Sequence, residues 1–216
     1  QGGVVSDKKA DTHSCSIFCL VGLCLDLNRS IYIHINEKFI NYNRKLLIMQ
    51  DCLYFSYGSN MSSMRLKKRV RSAEIISCGI LVGHKLRFHK KSKKDGSGKC
   101  DAFFTDSVND RVYGVIYSIK EEDLPKLDRC EGLGYGYEKK DVVIKILNDE
   151  EIKTLTYFAT DIKAGLKPYT WYKYHVLHGA VENNLPPDYI SFIDSFNSVD
   201  DPDKENAADE LSIYRD

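Results

Sequence analysis

The sequence has 216 residues, 43% of them hydrophobic, which is enough for one folded domain with tails at its ends. Its 31 basic and 31 acidic residues cancel, so the whole chain has no excess charge that would favour a polyanionic partner. The seven cysteines are odd in number and contain no CxxC pair, which argues against a small disulfide scaffold and a zinc site. Reduced thiols are typical of the cytoplasm, and no apolar stretch has the length of a membrane span. We therefore expect a cytoplasmic protein without a membrane partner.

Residues 1–48 differ in composition from the rest of the chain. An apolar run at residues 15–25 follows Lys8 and Lys9, which is the layout of a signal peptide, but no small-x-small cleavage site follows it cleanly. Residues 26–48 show no steady hydrophobic period, and Met49 directly precedes the first convincing strand. We predict that residues 1–48 lie outside the folded unit, as a leader, a signal peptide or read-through sequence, and that the domain covers residues 49–198.

The first half of this domain is typical of strands. Residues 53–57 are aromatic and end at Gly58-Ser59-Asn60, which indicates a buried strand followed by a tight turn. Ser62 can cap the helix that follows the turn. Further strands are predicted at residues 75–82, 85–89, 100–105 and 111–119. We expect the first two of these to pair with each other and the last two to be joined by a hairpin-like turn.

The second half mixes helices and strands. A short helix over residues 118–128, with acids in its first turn, ends at Glu131-Gly132. Residues 141–147 and 152–159 alternate like a hairpin around Asn148-Asp149-Glu150, and two helices follow at residues 169–182 and 188–196. The tail at residues 199–216 is acidic and poor in aromatic residues, which predicts disorder. Strands in the middle and helices at the end predict an α+β domain with a curled, largely antiparallel sheet.

Two segments have residues at which chemistry could occur. Successive N–H groups at the Gly58-Ser59-Asn60 turn could hold a carboxylate or an oxyanion, although a plain strand-to-helix turn is the simpler interpretation of this segment alone. Glu131 stands at a helix end, which the helix dipole makes unfavourable for an acid. It is therefore either an indifferent surface acid or a functional one. The glycines that follow allow a close ligand approach but do not form a dinucleotide fingerprint, because no strand precedes them.

A third segment, residues 169–180, is rich in aromatic residues. This stripe indicates core packing rather than a cofactor site. His175 and His178 have the i, i+3 spacing of metal ligands, but no third ligand lies near them in the sequence. We therefore predict no metal site here.

Five short motifs follow one another between residues 52 and 196. They are Tyr54-Phe55-Ser56-Tyr57-Gly58-Ser59-Asn60-Met61, Val112-Tyr113-Gly114-Val115-Ile116-Tyr117, Leu127-Asp128 with Glu131-Gly132, Tyr172 with Gly179-Ala180, and Asn183-Asn184-Leu185-Pro186. In this order and spacing they resemble the γ-glutamylcyclotransferase family. The YGSN form is closer to the branch acting on γ-glutamyl-amino acids than to the γ-glutamylamine branch, which usually reads YGTL, or the glutathione-specific branch, which usually reads YGSL.

The resemblance implies a fold and a set of site residues. The fold is a small, distorted, mostly antiparallel β-barrel flanked by helices, with a substrate cavity at the YGSN turn. Glu131 matches the catalytic acid. The residues implied to hold the substrate are Tyr54, Tyr57, Gly58, Ser59, Asn60 and Tyr172. The resemblance implies a small-molecule γ-glutamyl substrate, no cofactor and no metal, and it leaves a homodimer open.

The implied reaction belongs to glutathione metabolism and is that of a lyase or acyltransferase forming 5-oxoproline. In a γ-glutamyl amide the α-amino group can reach its own γ-carbonyl, so the protein need not supply a nucleophile. One carboxylate can take the proton from the ammonium and return it to the leaving amine. N–H groups at residues 57–60 would bind the α-carboxylate or the oxyanion.

Other functions remain as alternatives. A γ-glutamylamine cyclotransferase is the nearest one, and a non-catalytic ligand-binding or interaction protein on the same fold is another. The latter would be expected to lack the acid that stands at Glu131. Nucleic-acid binding is suggested by 12 basic against 2 acidic residues between positions 61 and 99. These charges divide between a helix face and a loop without aromatic residues among them for base stacking, so we expect no nucleic-acid partner.

Overall fold

The computed structural model describes residues 51–146 and 150–215 of the chain. The predictions for residues 1–48 and for the hairpin turn at residues 148 and 149 lie outside these described residues. Within the described residues, none of the helices has the length and apolar character that a bilayer crossing requires.

A closed five-stranded barrel forms the centre of the domain. Its strands are β1 Asp51–Ser56, β2 Glu74–Val82, β5 Arg111–Lys120, β6 Tyr137–Lys145 and β7 Glu151–Ala159. They are neighbours in the order β1, β5, β2, β6 and β7, and a parallel contact between β7 and β1 closes the barrel. The other neighbouring pairs are antiparallel. Phe55, Val112, Ile116 and Ile144 on these strands are fully buried, so the core lies within and beneath the barrel wall.

Two further strands, β3 His84–Lys91 and β4 Gly98–Phe104, form a separate sheet and pair with none of the barrel strands in the described part of the chain. The predicted pairings of β3 with β2 and of β4 with β5 are therefore wrong. The chain turns at Gly83, whose φ of 78° is left-handed, and β2 pairs with β5 and β6 instead. Strand partners are chosen by packing between distant segments, which a local pattern does not encode. The predicted hairpin of β6 with β7 is confirmed.

Helices pack around the barrel, two of them beside the turn at residues 57–60. Within the described residues they are α1 Ser63–Arg69, α2 Leu124–Glu131, α3 Thr170–Glu182, α4 Pro187–Asp194 and α5 Lys204–Leu211. Ser62 caps α1, because its side chain accepts a hydrogen bond from the N–H of Arg65. α3 lies directly on the turn, and Gly179 permits this contact because a Cβ there would overlap the backbone of Met61 and Ser62.

The C-terminal tail forms α5 and a single 3₁₀ turn, Ser212–Tyr214, where the sequence predicted disorder. The difference arises because acids of the tail find donors on the domain. Asp201 accepts a hydrogen bond from the indole N–H of Trp171 at 2.8 Å, and Glu210 forms an ion pair with buried Arg65. Asp203 caps α5 by accepting from the N–H of Asn206. Composition indicated a solvated tail, but these specific pairs hold it against α1 and α3.

Candidate active site

The turn that follows β1 forms one side of a cavity. The chain leaves β1 at Tyr57 and makes a single 3₁₀ turn, Ser59–Met61. The carbonyl oxygen of Met61 accepts hydrogen bonds from the hydroxyl of Tyr117 on β5, at 2.8 Å, and from the side-chain amide of Asn183, which follows α3, at 3.1 Å. The barrel and the helix therefore hold the turn from two sides.

Glu131 is the last residue of α2. Gly132 ends the helix in a left-handed conformation with φ 71°, and the N–H of Leu133 bonds back to the carbonyl of Asp128. This helix end brings the carboxylate to the turn. Its Oε1 accepts hydrogen bonds from the hydroxyl of Tyr54, at 3.1 Å, and from Nδ2 of Asn60, at 2.5 Å.

Glu131 and the turn enclose a small space, here called the inner cavity. Its volume is about 30 Å³, which is room for about two water molecules. The residues that line it are Tyr54, Ser56, Tyr57, Gly58, Ser59, Asn60, Cys100, Glu131, Tyr137, Thr156, Tyr157 and Tyr172. Among the described residues of this wall, Glu131 is the only one with a carboxylate, and the other polar groups are hydroxyl, amide and thiol groups.

The turn supplies backbone donors at the wall of the inner cavity. The N–H groups of Gly58, Ser59 and Asn60 have no hydrogen-bond acceptor among the residues that the structure describes. Unpaired N–H groups on consecutive residues favour an anionic ligand, such as a carboxylate or a developing oxyanion.

The surroundings of Glu131 affect the pKa of its carboxyl group in opposite directions. Burial raises the pKa of its carboxyl group above that of an ordinary glutamate, while the positive charge of Arg69 and the hydrogen bond from Tyr54 oppose the increase without cancelling it. A carboxyl group with a raised pKa exchanges protons near neutral pH more effectively than an ordinary one.

Arg69 on α1 fixes the orientation of Asn60. Its guanidinium group donates a hydrogen bond to Oδ1 of Asn60 at 2.9 Å, and Nδ2 of the same amide donates to Glu131. Because an amide accepts at one end and donates at the other, the contact with Arg69 leaves the donor end facing the carboxylate.

Tyr172 reaches the inner cavity from α3. Its hydroxyl accepts a hydrogen bond from the N–H of Cys100 at 3.2 Å and lies beside Gly58. Burial raises the pKa of Tyr172 well above its ordinary value, so the hydroxyl keeps its proton. The proton is then available for donation to a ligand.

A second and wider space, here called the outer recess, lies on the other side of Glu131. Its volume is about 240 Å³, and Ser59, Glu131, Tyr137 and Tyr172 line both it and the inner cavity. Its wall contains five basic residues, Arg65, Arg69, Lys90, Lys94 and Lys99, and three acidic ones, Asp95, Glu131 and Glu210. Glu131 is thus shared by an inner cavity whose other described lining residues are uncharged and an outer recess with more basic than acidic residues.

The structure brings all seven sequence-selected residues into the wall of the inner cavity: Tyr54, Tyr57, Gly58, Ser59, Asn60, Glu131 and Tyr172. Sequence reasoning missed Ser56, which shares a strand face with Tyr54 and could have been found from the two-residue period of β1. It also missed Cys100, Tyr137, Thr156 and Tyr157. These come from distant strands, and no local signal marks them.

His175 and His178 lie outside the inner cavity. Nε2 of His175 accepts a hydrogen bond from buried Arg65, and burial lowers the pKa of His175 to about 4, so the ring is neutral at pH 7. His178 faces Glu182 at 3.7 Å. In the described ranges, 51–146 and 150–215, no three His, Cys, Asp or Glu side chains come together as metal ligands would.

Known proteins are similar to this chain in sequence. Residues 111–193 match the model of the AIG2-like family. A γ-glutamylcyclotransferase of Bos taurus is 31% identical over 155 residues, which cover 70% of this chain and 81% of that protein. The chain belongs to the γ-glutamylcyclotransferase family. A γ-glutamylcyclotransferase of Homo sapiens is 32% identical over 144 residues, covering 65% of this chain and 76% of that one.

A solved structure supports membership of the γ-glutamylcyclotransferase family. The structure, a γ-glutamyl cyclotransferase, is similar with a TM-score of 0.69 and 28% identity, covering 77% of this chain and 99% of the other. The barrel flanked by helices is therefore the fold of this family, and the predicted fold class is confirmed. The prediction of an enzyme of this type is confirmed as well.

Proposed function

We propose that the chain cyclises the glutamyl part of γ-glutamyl-amino acids, which gives 5-oxoproline and a free amino acid. The observation that carries the proposal is the position of Glu131. Its carboxyl group, with a raised pKa, lies within hydrogen-bond distance of a turn with three consecutive N–H groups that have no acceptor in the described part of the chain. A proton acceptor beside an anion-binding turn is what an intramolecular aminolysis requires.

Glu131 serves as base and then as acid in this proposal. Its carboxylate takes a proton from the α-ammonium group of the substrate, and the free amine attacks the γ-carbonyl carbon. A carbon–nitrogen bond forms within the glutamyl unit and a tetrahedral oxyanion results. When the oxyanion collapses, the bond to the leaving nitrogen breaks, and that nitrogen receives the proton held by Glu131, which restores the carboxylate. The ring nitrogen loses its second proton to water, and the released amino group takes up one proton from water to become an ammonium group.

The turn and Tyr172 position the glutamyl unit and stabilise charge. The N–H groups of Gly58, Ser59 and Asn60 hold the α-carboxylate or the oxyanion, a contribution that is typically about 3 kcal/mol for an oxyanion donor. The Tyr172 hydroxyl and Tyr57, on the same wall, restrict the substrate to its folded, attacking conformer. Tyr54 and Asn60 already donate to Glu131, and the substrate ammonium takes over part of this role on binding.

Substrate binding requires the wall of the inner cavity to move. A space of about 30 Å³ is too narrow for a glutamyl unit, so the contacts of Glu131 with Asn60 and Tyr54 open when the substrate enters. Asn60 remains tied to Arg69 during this movement, which limits how far its amide can swing. The outer recess then receives the leaving group.

We further propose a folded unit that begins near residue 49 and a cytoplasmic location. Residues 1–48, whether leader, signal peptide or read-through sequence, have no catalytic role in this proposal. Cys52, Cys78, Cys100 and Cys130, the cysteines in the described part of the chain, are all free thiols, which is typical of proteins in reducing compartments. Removal of residues 1–48 should leave the melting temperature unchanged, and a clear decrease would contradict this boundary.

The experiment that tests the proposed function uses Glu131→Gln in the full chain. The amide keeps the size of the side chain but cannot accept the ammonium proton, so we expect the rate of 5-oxoproline release from γ-glutamyl-alanine to fall by about 100- to 10,000-fold. Circular dichroism should show a folded protein. Wild-type rates in this variant would exclude Glu131 as the base.

A panel of leaving groups separates the alternatives. If the wild-type chain releases 5-oxoproline from γ-glutamyl-alkylamines but not from γ-glutamyl-amino acids, it is a γ-glutamylamine cyclotransferase. If it binds γ-glutamyl compounds but releases no 5-oxoproline from any of them, it is a binding protein and the proposal is wrong.

A further inference from the structure

The outer recess is the place that a leaving group would occupy. It begins at Glu131, and Ser59, Tyr137 and Tyr172 are shared between its wall and that of the inner cavity. A substrate whose glutamyl part fills the inner cavity, with its scissile amide at Glu131, extends into the recess. The recess therefore determines which amines or amino acids can leave.

Most basic groups of the outer recess have a partner in the protein. Lys99 forms an ion pair with Asp95 at 3.0 Å, and Arg65 forms one with Glu210. Arg69 donates to Asn60, and the exposed Lys94 donates weakly to Asn206 at 3.4 Å. None of these cations is free to take up a new anion without giving up an existing contact.

Lys90, at the end of β3, differs from these residues. The residue is only 8% exposed, and its ammonium group lies over the ring of Tyr137 at 4.7 Å from the ring centre. Within the described residues, no carboxylate, carbonyl or hydroxyl oxygen is within hydrogen-bond or ion-pair distance of this ammonium. On the wall of the recess, the ammonium group of the almost buried Lys90 thus contacts the ring of Tyr137 and no described oxygen acceptor.

The ammonium group of a lysine that is mostly removed from water, and that has no acceptor in the described part of the protein, is poorly solvated. Burial lowers the pKa of Lys90, and the carboxylates of Asp161, Glu131 and Asp95 counteract this only from a longer range. An anion bound in the recess would provide the missing hydrogen-bond acceptor. The site is therefore suited to a carboxylate.

We propose that Lys90 binds the α-carboxylate of the leaving amino acid and is the specificity-determining residue of the outer recess. This inference rests on the proposed function. It places the carboxylate of the leaving group against the ammonium of Lys90, while the glutamyl α-carboxylate stays at the turn. An amine without a carboxylate leaves the ammonium of Lys90 unpaired, so the enzyme selects amino acids over amines as leaving groups.

The test compares two substrates that differ only in this carboxylate, γ-glutamyl-alanine and γ-glutamyl-alaninamide. The wild-type chain should prefer γ-glutamyl-alanine in kcat/KM by about 10- to 100-fold, the range expected of a hydrogen bond between two charged groups. In Lys90→Met the preference should disappear, mainly through a higher KM for γ-glutamyl-alanine. Lys90→Arg should keep most of it, because the cation remains.

Lys91→Met is the matched control. Lys91 is the next residue of β3 but is exposed and does not line the recess, so its removal should leave the preference as in the wild type. Thermal unfolding of each variant checks that the fold is retained. An equal loss for both substrates in Lys90→Met would overturn the inference and leave the proposed function intact, since Lys90 would then act on Glu131 or on the glutamyl part. Absence of 5-oxoproline from both substrates with the wild-type chain would overturn both proposals.

Discussion

The inner cavity and the outer recess are built in different ways, although they share Glu131. The inner cavity is lined by hydroxyl and amide groups, and half of its wall comes from a single stretch of chain, β1 and its turn. The outer recess is lined by charged side chains from α1, α2, β3, the loop after it, β4 and α5. Local sequence therefore builds the part proposed for chemistry, and long-range packing builds the part proposed for choosing the leaving group.

Among the following variants we expect substitution of Arg69 to have the largest effect on activity. Arg69 lines the outer recess, but it contacts Asn60 in the wall of the inner cavity. In Arg69→Met the Asn60 amide loses its fixed orientation, and we expect kcat/KM for γ-glutamyl-alanine to fall by ~30-fold. The pKa of Glu131 should rise further, because Arg69 is the charge that lowers it most. The base is then ionised only at higher pH, so the acid limb of the pH–rate profile should move to higher pH.

Lys67→Met is the control for this variant. Lys67 is on the same helix, α1, but is exposed and lies outside both spaces. Its pH–rate profile should match that of the wild type. An acid limb that stays in place in Arg69→Met would show that Arg69 does not act on Glu131.

Tyr172→Phe tests the donor on the helix side of the inner cavity. Loss of the hydroxyl removes a donor to the substrate and leaves the N–H of Cys100 without its acceptor, and we expect kcat/KM to fall by about 5-fold, as for one neutral hydrogen bond. Tyr174→Phe, two residues further along α3 and exposed, should have wild-type activity. An unchanged kcat/KM in Tyr172→Phe would remove that residue from the proposed site.

Glu210→Gln should have the smallest effect on activity and a clear effect on stability. Its carboxylate pairs with buried Arg65, and removal should lower the free energy of unfolding at pH 7 by about 2 kcal/mol in urea titrations. Burial raises the pKa of Glu210, but His175 and Arg65 outweigh it and lower the pKa overall. This stabilisation is therefore present above the ordinary glutamate pKa and is lost as the pH falls through the lowered one.

The difference between Glu210→Gln and the wild type should accordingly shrink in strongly acidic solution. Glu205→Gln is the control, because Glu205 is an exposed residue in the first turn of α5. A destabilisation of Glu205→Gln as large as that of Glu210→Gln would contradict a specific role for the ion pair with Arg65.

The sequence predicted the inner cavity better than the rest of the site for a physical reason. Tyr54 and Asn60 are six residues apart, so the strand and turn that carry them are a local pattern. Glu131 was marked by its place before a glycine at a helix end. No sequence pattern distinguishes Lys90 or Glu210. A lysine in a polar stretch and a glutamate in an acidic tail are ordinary surface residues unless the folded chain packs around them.

The fold shows the same limit of local information. The bounds of most strands follow from composition and turn residues, but the partners of β2 and β3 depend on which segments pack into the barrel. Disorder of residues 199–216 followed from composition alone. It did not take into account that Trp171 and Arg65, far away in sequence, offer donors to Asp201 and Glu210.

The contact between Gly179 and the turn connects a packing position to the proposed substrate site. Since α3 touches the backbone of Met61 and Ser62 at this point, one added methyl group would push the whole turn, with its row of donors, against the barrel that holds it from behind. A change outside the cavity wall could thus disable the enzyme. The missing side chain of residue 179 thus sets the distance between α3 and the turn.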